Sequence, residues 1–154
     1  TLLANTSLYS PPPAGTLDRA GKLNVTQLWL LIPYRLRAYF VFEGGTQHSS
    51  FAFNEKQHLA HDANDGWIAI PDASMKDSYD NYPTFVEPGD FVDFGLYPAY
   101  VPLYFFLIGN GAWSPTTIFH AEKELNDDKQ EHLVAYGIQD TPYILLGFED
   151  WPGG

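Results

Sequence analysis

The sequence predicts an all-β fold, a jelly-roll-like β-sandwich of about nine or ten strands. Aromatic residues make up 16% of the 154 residues and charged residues only 18%, a balance that suits pleated sheets better than solvated helices. Apolar runs recur along the chain between Pro and Gly residues, and they are too short and too aromatic for helices. The length matches one ordinary domain, which we expect over residues 21–154.

The first 20 residues predict an extended arm or linker. They contain the triplet Pro11 to Pro13 and show no sustained hydrophobic period, and three successive prolines remove donors that a helix or a central strand needs. The segment from Thr1 to Tyr9 is uncharged and partly apolar, so it could add as a strand to a neighbouring copy.

Four strands are expected in the first half of the domain. The runs "TQLWLLIPY" (26–34) and "RAYFVFEGG" (37–45) predict buried strands. In "SSFAFNE" (49–55), Phe51 and Phe53 fall on one face, and the strand from Trp67 to Ile70 follows an Asp-Gly turn. Before it lie three residues that resemble half of a calcium loop but are better explained as a tight turn, namely Asp62, Asn64 and Asp65.

The second half predicts further strands separated by turns. A Pro-Gly turn precedes an alternating strand from Phe91 to Leu96, and the strand 103–108 ends in "GNGAW". The polar stretch "HAEKELNDDKQEHL" (120–133) is predicted to be a strand, a loop and a strand, because "NDDKQ" is turn chemistry. Two strands complete the pattern, at 131–136 and 143–148.

The charge and residue content disfavour several partners. The net charge of −11 would repel a polyphosphate backbone, so we expect no nucleic-acid partner. Cysteine is absent, which removes disulfides and zinc–thiolate sites. The longest apolar run is too short for a membrane helix, so no membrane span is expected. Two sequons would accept glycans in a secreted protein, at Asn5 and Asn24.

The sequence ends in "ILLGFEDWPGG", in which an apolar strand leads to Glu149 and Asp150. Together with "VDFGLYP", "LYFFLIGNGA" and "NDDKQEHLVAYGIQD", this ending resembles the bacterial family known as Domain of Unknown Function 4114. The resemblance covers about residues 67–154 and implies a module of secreted or surface proteins. It also implies an acidic site for Ca²⁺ at Glu149 and Asp150 with Asn126 or Asp128.

One part of the family pattern is absent from this chain. In the family, the Gly turn leads into a second acidic segment and another strand, neither of which is in the sequence. The resemblance therefore implies an incomplete calcium site and an unfilled position in a sheet. A continuation of the chain or the arm of a neighbouring copy could fill that position.

The expected function is a secreted, non-catalytic surface, adhesive or extracellular-matrix module with structural calcium. Partners would be a protein or a glycan at a cell or matrix surface. Several aromatic residues beside turns could serve such contacts, although most rings should fill the core: Trp67, Trp113, Tyr79, Tyr82, Tyr97 and Tyr100. The alternatives are a filament subunit assembled by strand addition and a carbohydrate-active enzyme, although two adjacent carboxylates normally point apart and no G-x-S-x-G elbow occurs.

Overall fold

A computed structural model of the chain describes residues 21–45, 47–54, 67–75 and 86–152. The expected arm at 1–20, the sequon at Asn5 and the turn at Asp62, Asn64 and Asp65 lie outside these residues. The described residues form nine strands: β1 Lys22–Leu23, β2 Tyr34–Tyr39, β3 Ser50–Asn54, β4 Trp67–Ile70, β5 Phe91–Tyr97, β6 Tyr104–Ile108, β7 Ile118–His120, β8 Leu133–Gly137 and β9 Ile144–Phe148. Their only helical elements are 3₁₀ turns at Val25–Gln27 and Lys123–Leu125.

The strands form three antiparallel sheets, which confirms the all-β prediction and is consistent with a sandwich. One sheet has the order β4-β3-β6-β7, a second has the order β1-β8-β9, and β2 pairs with β5 in a two-stranded ribbon. Among the described residues, no helix is long and apolar enough to cross a membrane. No strand of the described residues pairs with the outer edge of β9.

The core lies between the four-stranded sheet and the other two sheets. Phe53 of β3 packs edge-on against Phe94 of β5, with ring centroids 4.5 Å apart. Phe51, two residues earlier, packs against Phe148 of β9 at 5.6 Å. Both rings point to one face of β3, as the alternation predicts, and they join the three sheets through one apolar cluster.

The prediction of a buried strand over 26–34 is wrong. Asn24 caps the 3₁₀ turn by accepting the Thr26 N–H at 3.1 Å. Between Leu28 and β2, the strand pairing of the described residues is limited to an isolated bridge from Trp29 to Pro102. Proline has no N–H to donate, so a ladder cannot continue past Pro33 or Pro102. The apolar side chains that follow Leu28 are therefore left largely at the surface.

The prediction of a buried strand over 37–45 is also wrong, because β2 spans Tyr34–Tyr39 and its side chains are exposed or half-buried.

The other predicted strands match the observed ones within two residues at their ends, namely 49–55, 67–70, 91–96, 103–108, 131–136 and 143–148. Pro88 and Gly89 form a turn before β5, with Gly89 at φ +103°, a conformation that glycine adopts without a steric penalty. Asn110, in the turn after β6, has φ +50°, which Asn tolerates better than most residues. In the segment 120–133 the predicted polar loop is confirmed, but the first predicted strand includes only His120, the last residue of β7, and a 3₁₀ turn follows at Lys123–Leu125.

Candidate functional site

The two carboxylates after β9 have different partners. Glu149 Oε1 accepts the Trp151 N–H at 3.1 Å. Asp150 Oδ2 accepts the Ser49 hydroxyl at 3.0 Å, across more than 100 residues of sequence. Adjacent residues at a strand end point in different directions, so the dipeptide does not by itself present two carboxylates to one ion.

Asp128 contacts the backbone of Glu149 through a buried histidine. His132 Nε2 lies 2.9 Å from Asp128 Oδ2, and His132 Nδ1 lies 2.9 Å from the Glu149 carbonyl oxygen. A ring nitrogen can bond a carbonyl oxygen only as a donor, so the Nδ1 atom of His132 carries a proton. The polar loop and the end of β9 are thereby linked, but through an imidazole.

Asn126 organises the polar loop. Its side chain is buried; Oδ1 accepts the His120 N–H at 2.7 Å, and Nδ2 donates to the carbonyl oxygens of His120 and Gln130 at 3.2 and 2.9 Å. These bonds engage both the oxygen and the nitrogen of the amide within the loop. Across the described residues, no group of three or more His, Cys, Asp or Glu side chains is arranged to hold a metal ion. The calcium site stays a prediction.

Glu43 is an acidic neighbour of Asp150 that the sequence analysis missed. A Cβ added to Gly45 would lie 2.9 Å from Glu43 Oε1 and 3.7 Å from Asp150 Oδ1, so the two carboxylates flank the Gly45 backbone. Burial raises the pKa of Glu43, the Met75 N–H that it accepts at 3.2 Å opposes this, and the charge of Asp150 raises the pKa further. The sequence feature that could have indicated Glu43 is its position as a single acidic residue at the end of the apolar run "YFVFEGG".

A second polar cluster brings a serine, a histidine and an aspartate together. His48 Nδ1 lies 3.0 Å from Asp72 Oδ2 and 3.0 Å from Ser74 Oγ, and Ser74 also donates to Asp72. In a hydrolase triad the serine and the aspartate contact opposite ring nitrogens, so that the histidine can move a proton between them. Here both contact the same nitrogen, and Trp113 stacks on the ring at 3.7 Å.

The aromatic candidates separate into buried and exposed rings. Tyr97 lies in the core and donates its hydroxyl to the Pro102 carbonyl at 3.2 Å, which is the role expected of most rings. Trp67, Tyr100 and Trp113 are exposed. Tyr79 and Tyr82 lie outside the described residues.

Six of the exposed large apolar side chains of the described residues lie where two uncharged segments meet. Residues 28–34 and 96–103 run side by side, with the Tyr100 N–H bonded to the Leu30 carbonyl at 2.9 Å and the Leu103 N–H to the Leu28 carbonyl at 2.8 Å. We call the exposed side chains of these segments the apolar end. Its members are Trp29, Leu31, Ile32, Tyr34, Leu96 and Tyr100.

The ribbon of β2 and β5 places charge directly beside the apolar end, since Arg35 is the cross-strand partner of Leu96. Asp93 of β5 accepts Nε–H bonds from Arg35 at 2.8 Å and Arg37 at 2.9 Å, and the Arg37 guanidinium lies 5.1 Å from the centre of the Phe91 ring. The Gly95 N–H and the two guanidinium groups lower the pKa of Asp93 to about 2. At neutral pH, this face therefore carries two cations and one anion.

Comparisons with protein-family models, with curated proteins and with solved structures find no match to this chain. The resemblance to Domain of Unknown Function 4114 therefore stays a prediction.

Proposed function

We propose that the chain is a non-catalytic surface or adhesive module of an extracellular or cell-surface protein, which attaches through its apolar end. The observation that supports this proposal most is the exposure of six large apolar side chains where the two uncharged segments meet. Contiguous apolar patches on a soluble domain generally mark a contact surface. Full burial of each such side chain is worth about 1.5–3 kcal/mol, so covering only part of the end would support stable attachment.

The polar clusters favour binding over catalysis. Ser74 and Asp72 both contact the Nδ1 atom of His48. In a hydrolase triad, one ring nitrogen takes the serine proton while the aspartate holds the other nitrogen, and these two contacts do not have that arrangement. Glu149 and Asp150 bond different parts of the chain instead of facing each other across a cleft, as the two carboxylates of a glycosidase do. Binding through the apolar end, by contrast, requires only a partner surface and no arrangement of catalytic groups.

The first test is retention on intact cells of the organism that encodes the chain. We expect the triple variant Leu31→Asn, Ile32→Asn, Leu96→Asn to be retained at least about tenfold less than the unchanged protein, since about 1.4 kcal/mol of lost burial suffices for that factor. The matched control replaces two exposed apolar residues elsewhere, Ile68→Asn with Ile144→Asn. Equal retention of the triple variant and the control, with unchanged melting temperatures, would contradict the proposal.

Structural calcium is the second part of the proposal, held near Asp150 at the end of β9. Its support is the family resemblance and the Glu43 carboxylate beside Asp150, because hard cations prefer clustered carboxylate oxygens. We expect calcium at a hundredfold excess over its Kd to stabilise the fold by about 2.7 kcal/mol. Asp150→Asn should remove most of this effect, whereas Asp127→Asn, on an exposed loop position, should not. A melting temperature that does not change between excess calcium and excess chelator would rule out the ion.

A further inference from the structure

We propose that the partner of the apolar end is a lipid bilayer with headgroups of no net charge, into which Leu31, Ile32 and Leu96 insert. This inference rests on the proposed function, because it names the surface to which the module attaches. These three side chains are 70%, 65% and 77% exposed. Side chains that lined a preformed groove for a protein partner would be covered by its walls, whereas these three project into solvent.

The apolar end combines the two kinds of side chain that a bilayer interface favours, aliphatic and amphipathic aromatic. The aliphatic side chains are the most exposed of the set together with Tyr100, while Trp29 and Tyr34 are about half-exposed. Aliphatic groups partition into the hydrocarbon region, and Trp and Tyr, with an apolar body and a polar atom, prefer the headgroup level. A glycan partner would need polar groups beside the flat rings, and branched aliphatic side chains supply none.

The backbone of this end also suits contact with lipid. Unpaired N–H and C=O groups are costly in hydrocarbon, and here the Leu30 and Leu28 carbonyls accept the N–H groups of Tyr100 and Leu103. Pro33, Pro98 and Pro102 have no N–H group to desolvate. Two short segments can therefore enter the interface with a smaller desolvation penalty than ordinary loops.

The distribution of charge selects the headgroup. No charged residue occurs in 28–34 or 96–103. The adjoining charges of the ribbon are Arg35, which is the cross-strand partner of Leu96, and the Arg37 and Asp93 pair next to it. The two guanidinium groups can contact lipid phosphates. The whole chain carries a net charge of −11, however, and would be repelled by an anionic membrane. Binding should therefore be strongest to zwitterionic lipid.

The test is sedimentation of the protein with phosphatidylcholine vesicles. We expect the unchanged protein and the control variant Ile68→Asn with Ile144→Asn to bind. The triple variant Leu31→Asn, Ile32→Asn, Leu96→Asn should bind at least about tenfold less. Replacing part of the lipid with phosphatidylserine should weaken binding at low salt, and raising the salt should restore it. Quenching by brominated lipid should depend on Trp29, so Trp29→Phe should reduce it while the protein still sediments with vesicles.

Failure of this inference can be distinguished from failure of the proposed function. If the triple variant loses retention on cells while the unchanged protein does not bind vesicles, the function stands and the lipid partner is wrong. Loss of cell retention after protease or glycosidase treatment of the cells would then point to a protein or a glycan. Self-association through the same side chains, seen by sedimentation velocity without vesicle binding, would also overturn the lipid inference. Equal vesicle binding by the triple variant would overturn it as well.

Discussion

Replacing Asn126 by alanine is expected to lower the free energy of unfolding by about 3 kcal/mol. The substitution removes three hydrogen bonds and leaves the His120 N–H and the carbonyl oxygens of His120 and Gln130 without the amide that they contact. Asn126 is 2% exposed, so water reaches these groups poorly once the amide is gone. An unpaired buried polar group costs more than an average hydrogen bond contributes.

Chemical denaturation of Asn126→Ala measures this effect, with Asp127→Ala as the control. Asp127 is the next residue and is exposed, so its replacement should change stability by no more than about 0.5 kcal/mol. The Asn126 variant should also speed hydrogen exchange at Asp128 and His132, because the loop would lose the amide that closes it. If both variants unfold at the same denaturant concentration, the amide does not organise the loop.

The predicted role of Asn126 shows what local sequence leaves open. The stretch "NDDKQ" predicted a polar loop, and the loop is there. The same oxygen-rich composition suits an ion and a turn equally. In the structure, the Asn126 amide bonds the His120 backbone, and this contact favours the turn over the ion. The residue types alone do not show that the folded loop brings these two groups together. The partners of Asp150 are more remote still, because Ser49 and Glu43 lie about a hundred residues away in sequence.

Strands were predictable where two kinds of local information agreed. β5 combines alternation with a preceding Pro-Gly turn, and β3 places Phe51 and Phe53 on one face. The segment 26–34 is equally apolar, but its hydrogen-bonding partner contains Pro98 and Pro102, so no ladder forms along it. Apolar character predicted burial there, while the lack of a paired strand leaves Leu31 and Ile32 in solvent. The apolar end is thus a consequence of tertiary pairing.

The largest expected effect on stability comes from replacing a side chain of the four-stranded sheet, because this sheet is buried on both faces. β6 reads "YFFLI", a continuous apolar run of the kind found in strands that are covered on both sides. Phe105 faces the main core, whereas Phe106 and Ile108 join Ala52 of β3 in a second cluster on the other face. Phe106 is fully buried, so this face is covered rather than solvated.

Phe106→Ala is therefore expected to lower the free energy of unfolding by about 4 kcal/mol, through lost apolar burial and the cavity left between packed strands. The matched control is Phe91→Ala in the ribbon, where the ring is 52% exposed and its removal should cost about 1 kcal/mol or less. Phe106→Leu should recover part of the loss, because it refills much of the cavity volume. Equilibrium denaturation with a common slope for all three variants measures these differences. A cost for Phe106→Ala no greater than that for Phe91→Ala would mean that the second face of the sheet is open to water, and that the sandwich has one buried layer instead of two.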